Sequence, residues 1–98
     1  MKGSKLQKLI MDYLTALKYP VINVVIASRN GESDLVACIE GHFCLIEVKG
    51  AGDTVKKLQE IKQAKVKDAK GYAIFAYSLD DVRQLITQVK TSTQSLPA

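Results

Sequence analysis

The stretch that decides the fold is residues 34–49, which read DLVACIEGHFCLIEVK. Two apolar runs flank Gly41-His42, and glycine at the first position of a two-residue loop is typical of a type II′ β-hairpin turn. The sequence therefore predicts antiparallel strands over 33–40 and 43–49. Because side chains along a strand alternate between the two faces of a sheet, this hairpin has two faces of different character.

One face of the hairpin is wholly apolar and is predicted to lie on the core. The other face carries two carboxylates and one ammonium group near the open end of the hairpin. The apolar face consists of Leu35, Ala37, Ile39, Cys44, Ile46 and Val48, and the second face consists of Asp34, Val36, Cys38, Leu45, Glu47 and Lys49.

The predicted loop places Val36 opposite Glu47 and Asp34 opposite Lys49. Asp34 and Glu47 are then diagonal neighbours, roughly 7–8 Å apart and within joint reach of one cation. An ion pair between Asp34 and Lys49 would leave Glu47 unpartnered, which is costly for a half-buried charge. A divalent metal ion accounts for all three groups, because Mg²⁺ binds carboxylate oxygens and a neighbouring ammonium can orient a metal-bound water.

The motifs around this hairpin resemble those of the PD-(D/E)XK nucleases, and within them the virus-type replication-repair nuclease (VRR-NUC) family in its standalone phage form. The family pattern is Gly-x-Pro-Asp-Leu, a hairpin, Glu-Val-Lys-Gly, a short glycine loop, a helix with a Gln, and a strand that ends in Ser. The likeness extends over about residues 3–89. Its motifs fall in the segments 31–35, 46–50, 51–53, 58–59 and 71–78.

The resemblance implies a restriction-endonuclease-like fold and metal-dependent cleavage of phosphodiester bonds. Asp34, Glu47 and the carbonyl oxygen of Val48 would then hold Mg²⁺ or Mn²⁺. Lys49 would act on the attacking water and Gln59 would support the site. From its spacing alone, Gln59 could equally face solvent.

Two positions depart from the family pattern. Ser33 stands where the family usually has Pro, which is expected to alter the stiffness of the loop rather than the chemistry. Gln7 matches a site-facing Glu that the family often carries in its first helix, at the second-metal position. A neutral amide is a far poorer ligand than a carboxylate for a hard cation.

The resemblance also implies a substrate and an assembly. The expected activity is that of an endonuclease acting on Holliday junctions or other branched double-stranded DNA, as a homodimer whose two sites face related phosphates. The expected self-association surfaces are the first helix and the apolar run 21–26. Two alternatives stay open: a catalytically weakened or non-catalytic DNA-binding module, and a small interaction protein in which the charged groups form only an ion network.

The charge of the chain is unevenly placed. The 98 residues carry a net charge of +4, and residues 49–70, with seven lysines and three acidic residues, account for all of it. A basic helix beside a carboxylate site suits a phosphate backbone, although a solvated helix face would have the same composition. The predicted DNA contacts are Lys56, Lys57, Lys62 and Lys65.

The sequence indicates a cytoplasmic protein, in the host cell if it is phage-encoded. No apolar run is long enough to span a bilayer, and the N-terminus lacks the pattern of a secretory signal. Cys38 and Cys44 are predicted on opposite faces of the hairpin and unpaired, which fits a reducing compartment. His42 is predicted at the exposed hairpin tip, apart from both cysteines, so no zinc site is expected.

Periodicity predicts the elements that precede the hairpin. A helix over 4–18 has Ser4 as its expected N-cap, and Pro20 prevents it from continuing. A β-branched run predicts a strand over 21–27.

After the hairpin, the sequence predicts a helix over 54–69, capped by Asp53 or Thr54. Its expected buried side is Val55, Leu58, Ile61, Val66 and Ala69, and a separate stripe holds Lys56, Gln59 and Gln63.

A glycine and a serine mark element boundaries in the rest of the chain. Gly71 is predicted at the C′ position of the preceding helix, followed by a buried strand over 72–77 parallel to 43–49. Ser78 is the expected N-cap of a last helix that runs to about residue 90, with a frayed tail over 91–98. The resulting fold is α/β, in the order α-β-β-β-α-β-α, with a mixed sheet, helices on both faces and a single domain over 1–98.

Overall fold

The structure, a computed structural model, describes residues 3–25 and 33–95. The elements are α1 (Gly3–Ala16), β1 (Val21–Val25), β2 (Ser33–Ile39), β3 (His42–Val48), α2 (Lys57–Asp68), β4 (Tyr72–Ala76) and α3 (Leu79–Ser95). One four-stranded sheet has the order β1-β2-β3-β4. Its first two pairings are antiparallel, and β4 is parallel to β3. The predicted α/β class, element order and mixed sheet are confirmed.

The hydrophobic core lies between one face of the sheet and the helices α1 and α3. Its sheet side is the face of the hairpin that the sequence predicts as apolar, from Leu35 through Ile46. Leu6, Ile10 and Leu14 recur every four residues and form the buried stripe of α1. The opposite face of the sheet is covered by α2. The sheet therefore separates a core on one side from the charged residues on the other.

The hairpin turn differs from the predicted one. The loop residues are Glu40 and Gly41, both with positive φ (50° and 81°), and this is the geometry of a type I′ turn. Glu40 accepts a hydrogen bond from the Tyr19 hydroxyl at 2.6 Å, which anchors the loop to the segment between α1 and β1. This bond, reinforced by burial and by the charge of Glu40, raises the pKa of Tyr19 to about 12.

The observed turn gives the hairpin a different register from the predicted one but leaves each side chain on its predicted face. Asp34 pairs directly with Glu47, whereas the predicted partners were Lys49 for Asp34 and Val36 for Glu47. The shift moves every pair by an even number of residues, so each side chain keeps its predicted face. His42 is not at the tip: it opens β3, and its ring meets the Tyr72 ring edge-on at 5.5 Å.

Helix α2 begins later than predicted and turns its other side inward. Its N-cap is Lys56, while Asp53 accepts a hydrogen bond from the Gly50 backbone N–H at 2.7 Å in the preceding loop. Gln59 is buried at 5% exposure, whereas Leu58, predicted as buried, is 62% exposed. The prediction is wrong because α2 packs on the charged face of the sheet, so that its polar stripe faces inward.

The C-terminus of α2 is a Schellman motif displaced by one residue from the prediction. Lys70, with φ of 72°, occupies the C′ position expected for Gly71. Gly71 follows it and donates its backbone N–H to the Val66 carbonyl at 2.9 Å. A Cβ on Gly71 would lie 2.8 Å from the Val66 side chain, so close packing requires glycine here.

The last helix has the predicted start and a later end. The Asp81 carboxylate accepts hydrogen bonds from the backbone N–H groups of Tyr77 and Ser78. Ser78 accepts one from the Asp81 N–H, which completes a capping box. Helix α3 continues to Ser95, past the predicted end near residue 90, so residues 91–95, predicted as a frayed tail, are helical.

Some predicted features lie outside the described residues. They are the end of the first strand at 26–27, the start of the motif over 31–35, and the tail over 96–98. Within the described ranges, none of the helices has the length and apolar character needed to cross a membrane. Both cysteines of the chain are free, as predicted: Cys38 is exposed and Cys44 is buried in the core.

Candidate functional site

Two carboxylates lie side by side beneath α2. Asp34 on β2 and Glu47 on β3 are directly opposite each other in the antiparallel ladder. Side chains in such a pair have Cβ atoms about 4.5–5.5 Å apart, closer than the predicted diagonal arrangement. Both residues are buried, Glu47 to 1% exposure. The sheet therefore holds two acidic groups together with little contact with water.

The Glu47 carboxylate is not held by a hydrogen bond of strict geometry. Neither oxygen of its carboxylate accepts a hydrogen bond from any residue in 3–25 or 33–95. Burial raises the pKa of Glu47 above its ordinary value, and the Asp34 carboxylate raises it further. The ammonium groups of Lys62 and Lys49 act in the opposite direction without reversing the shift. A buried carboxylate in this state is destabilising unless a cation is supplied.

Lys62 extends from the middle of α2 to both carboxylates. Its Nζ donates a hydrogen bond to Asp34 Oδ2 and lies 3.8 Å from Glu47 Oε2. The ion-pair alternative named Lys49 as the partner of Asp34, and the structure corrects this to Lys62. Lys62, predicted as a DNA contact on the helix surface, is thus in direct contact with the candidate site.

Lys49 is buried just beyond the end of β3 and is held by two acceptors. Its Nζ donates to Gln59 Oε1 at 2.6 Å and to the Thr54 carbonyl at 3.1 Å. Gln59 Oε1 also accepts the Lys56 backbone N–H at 3.0 Å, so the same amide fixes the first turn of α2. The Phe75 ring centroid is 5.9 Å from the Lys49 ammonium. Gln59 therefore faces the site rather than solvent.

Gln63 is a site residue that the sequence reasoning did not single out. It lies one helical turn after Gln59, is buried, and its Nε2 has no hydrogen-bond acceptor among the described residues. A hydrogen-bonding interaction of its amide with the Glu47 carboxylate lowers the pKa of that carboxyl, although the two groups do not reach a strict hydrogen-bond geometry. The four-residue spacing of the two glutamines was the available signal.

The N-terminus of α1 adjoins the same end of β3. A Cβ on Gly50 would lie 2.9 Å from the Gly3 backbone nitrogen, so glycine is required for this close approach. Gln7, which the resemblance matches to a second-metal position, lies one turn further along α1 and is half-buried. Val48, whose carbonyl the resemblance assigns to the metal, is the last residue of β3.

The remaining predicted DNA contacts lie on the outer surface of α2. Lys56 and Lys57 are exposed at its start and Lys65 is exposed near its end. Lys65 also lines a groove of about 470 Å³ that runs past Phe43 and Lys70 to the hairpin turn. The lysines thus follow the helix away from the carboxylates.

The donor set fits a hard divalent cation that keeps much of its hydration. The described residues contain no group of three or more His, Cys, Asp or Glu side chains able to hold a metal ion. The site offers two carboxylates, one of them without a hydrogen-bond donor, which is what Mg²⁺ commonly takes from a protein when waters and phosphate complete its shell. It does not suit zinc, because Cys38 and Cys44 lie on opposite faces of the sheet, one exposed and one buried.

The arrangement combines a carboxylate pair, a cation beside it and a second cation held by an amide. Such a group of charges can bind a divalent ion and stabilise negative charge on a phosphate.

Compared with known proteins, the chain matches no protein-family model, no curated protein and no solved structure.

Proposed function

We propose that the chain is a Mg²⁺- or Mn²⁺-dependent endodeoxyribonuclease of the VRR-NUC type, acting on Holliday junctions or other branched DNA. The observation that carries the proposal is the direct pairing of Asp34 with Glu47, with both Glu47 oxygens buried and neither in a hydrogen bond of strict geometry. A fold has no structural need for such a pair, whose charges repel each other and disfavour the folded state. A site that binds a cation has that need.

The roles of the residues follow from their chemistry. Asp34, Glu47 and the Val48 carbonyl would hold the metal ion, which when bound supplies an activated water and a counter-charge to the phosphate. Lys49, held by Gln59, directs a fixed ammonium toward the charge that develops on the phosphate. Because Lys49 is positioned before substrate arrives, little reorganisation accompanies the reaction.

DNA binding is attributed to the outer surface of α2 and the groove beside it. Lys56, Lys57 and Lys65 are exposed there, and the segment that contains them carries the whole charge excess of the chain. Self-association is supported by β1, an edge strand on which Ile22 and Val24 are exposed. A homodimer would supply the two sites that a two-fold junction requires.

A non-catalytic DNA-binding module is the second candidate. Lys62 already neutralises part of the charge of Asp34 and Glu47, so the pair is tolerated in the fold without a metal ion. Gln7, whose neutral amide stands where the resemblance expects a second-metal ligand, also favours this candidate. This candidate predicts salt-sensitive DNA binding without cleavage.

Nicking of a panel of branched DNAs, with and without Mn²⁺, tests the proposal. We expect metal-dependent cleavage by the unmodified chain and a loss of roughly 10²-fold or more in Glu47→Gln. Glu60→Gln is the matched control, because Glu60 is an exposed acid on α2. Absence of cleavage on every DNA would favour the binding module, and an unchanged rate in Glu47→Gln would exclude this site.

A further inference from the structure

We infer that Lys62 is an internal cation that competes with the metal ion for the two carboxylates and thereby sets the metal affinity of the site. The inference rests on the proposed function, since it concerns the same carboxylates. It goes beyond that function by giving the protein a means to keep the site neutralised before the metal binds. The geometry, the exposure and the charge of Lys62 each contribute to it.

The Lys62 ammonium lies where a cation bound by both carboxylates would lie. Its ammonium contacts Asp34 Oδ2 directly and lies 3.8 Å from Glu47 Oε2. A divalent ion that binds both carboxylates must approach the same oxygen atoms. An ammonium and a divalent cation at this distance repel each other strongly in a poorly solvated site. The two cations therefore exclude each other.

Lys62 differs from Lys49 in its freedom to leave. The Lys62 side chain is 30% exposed, and its long stem can redirect the ammonium to water at the edge of α2. Lys49 is buried and held by both Gln59 and the Thr54 carbonyl. Metal entry would thus displace Lys62 and leave Lys49 in place, so one lysine is exchangeable and the other fixed.

The test is a Mn²⁺ titration in which free Mn²⁺ is followed by electron paramagnetic resonance, without DNA. We expect Lys62→Met to bind Mn²⁺ about tenfold more tightly than the unmodified chain, which corresponds to about 1.4 kcal/mol. Lys62→Gln, which removes the charge but keeps hydrogen-bonding groups, should show the same direction. Lys67→Met is the matched control, an exposed lysine on the same helix, and its affinity should be unchanged.

Thermal unfolding provides a second readout that does not involve activity. Without metal, Lys62→Met should unfold at a lower temperature, because the carboxylates lose their counter-charge, and Mn²⁺ should raise its Tm more than that of the unmodified chain. Equal Mn²⁺ affinity in the folded Lys62 variants and the unmodified chain would overturn the inference and leave the nuclease proposal intact. Absence of Mn²⁺ binding in all the variants would overturn the metal site itself.

Discussion

Ile46 and Glu47 are neighbours on β3, yet they meet opposite environments on the two sides of the sheet. Ile46 lies in the core formed with α1 and α3, among other apolar side chains. Glu47 lies beneath α2, against a second carboxylate, with neither of its oxygens hydrogen-bonded by a described residue. Both side chains are almost completely buried. Burial therefore stabilises the fold on one side and costs stability on the other.

The helices repeat the same contrast. On the core side, α1 buries its apolar stripe in the ordinary way. On the other side, α2 buries Gln59 and Gln63 and leaves Leu58 and Ile61 in solvent. A helix selected only for packing would have the reverse orientation. The core side therefore maintains the fold, and the polar inner side of α2 is what the proposed cation site requires.

The largest expected effect on stability is on the core side. Ile46→Ala should lower the free energy of unfolding by about 2–5 kcal/mol, because it removes buried methylene groups and leaves a cavity. The exposed Leu58 on α2 is the matched control, and Leu58→Ala should change stability by less than about 0.5 kcal/mol. Urea denaturation measures both. Similar losses in the two variants would mean that the core side does not dominate stability.

The second effect has the opposite sign. Glu47→Gln should raise the free energy of unfolding at neutral pH by about 1 kcal/mol, since it removes a buried charge that repels Asp34 and that Lys62 only partly compensates. The gain should depend on pH, because the folded-state pKa of Glu47 lies above its ordinary value of 4.5. Below about pH 4 both the folded and the unfolded carboxyl are largely protonated, and the two proteins should differ little.

As pH rises from 4.5 through the higher folded-state pKa, the unfolded chain loses its proton first, so the unmodified protein loses stability relative to the variant. Tm measured across the acidic and neutral pH range should therefore diverge between the two proteins. A variant less stable than the unmodified chain at neutral pH would contradict the interpretation of Glu47 as a stability cost.

The smallest expected effect on stability is at the exposed lysines of α2. The triple change Lys56→Ala, Lys57→Ala and Lys65→Ala should shift stability little. It should flatten the salt dependence of DNA binding by up to about 0.9 in log–log slope for each phosphate that a lysine no longer neutralises. Lys5, Lys8 and Lys90, on the helices of the core side, provide the control triple. Fluorescence anisotropy over a salt series decides it, and equal slopes for the two triples would remove α2 from the DNA interface.

The faces of the hairpin could be predicted from sequence because strand side chains alternate with a period of two. Even the wrong turn preserved them, since the register error was an even number of residues. The turn itself could not be predicted from glycine position alone, because its first loop residue is Glu40, which adopts a positive φ although it is not glycine.

The orientation of α2 and the position of Lys62 could not be predicted from the sequence either. Helical periodicity offers both an apolar and a polar stripe, and the usual expectation is that the apolar one is buried. Here α2 packs against the charged face of the sheet, and this tertiary contact overrides the preference for burying the apolar stripe. In the sequence, Lys62 is one of several lysines predicted on the surface of this helix. Its contact with the carboxylates depends on the strand pairing that places Asp34 opposite Glu47.

The two free cysteines have a practical consequence for labelling. Cys38 is exposed on the same face of the hairpin as Asp34, whereas burial raises the pKa of Cys44 to about 11. Because the thiolate is the reactive form, a maleimide dye should modify Cys38 and leave Cys44 untouched at neutral pH. The unaltered chain thus offers a single attachment point for a fluorophore on the α2 side of the sheet. Its emission would report the approach of a nucleic acid without any substitution in the protein.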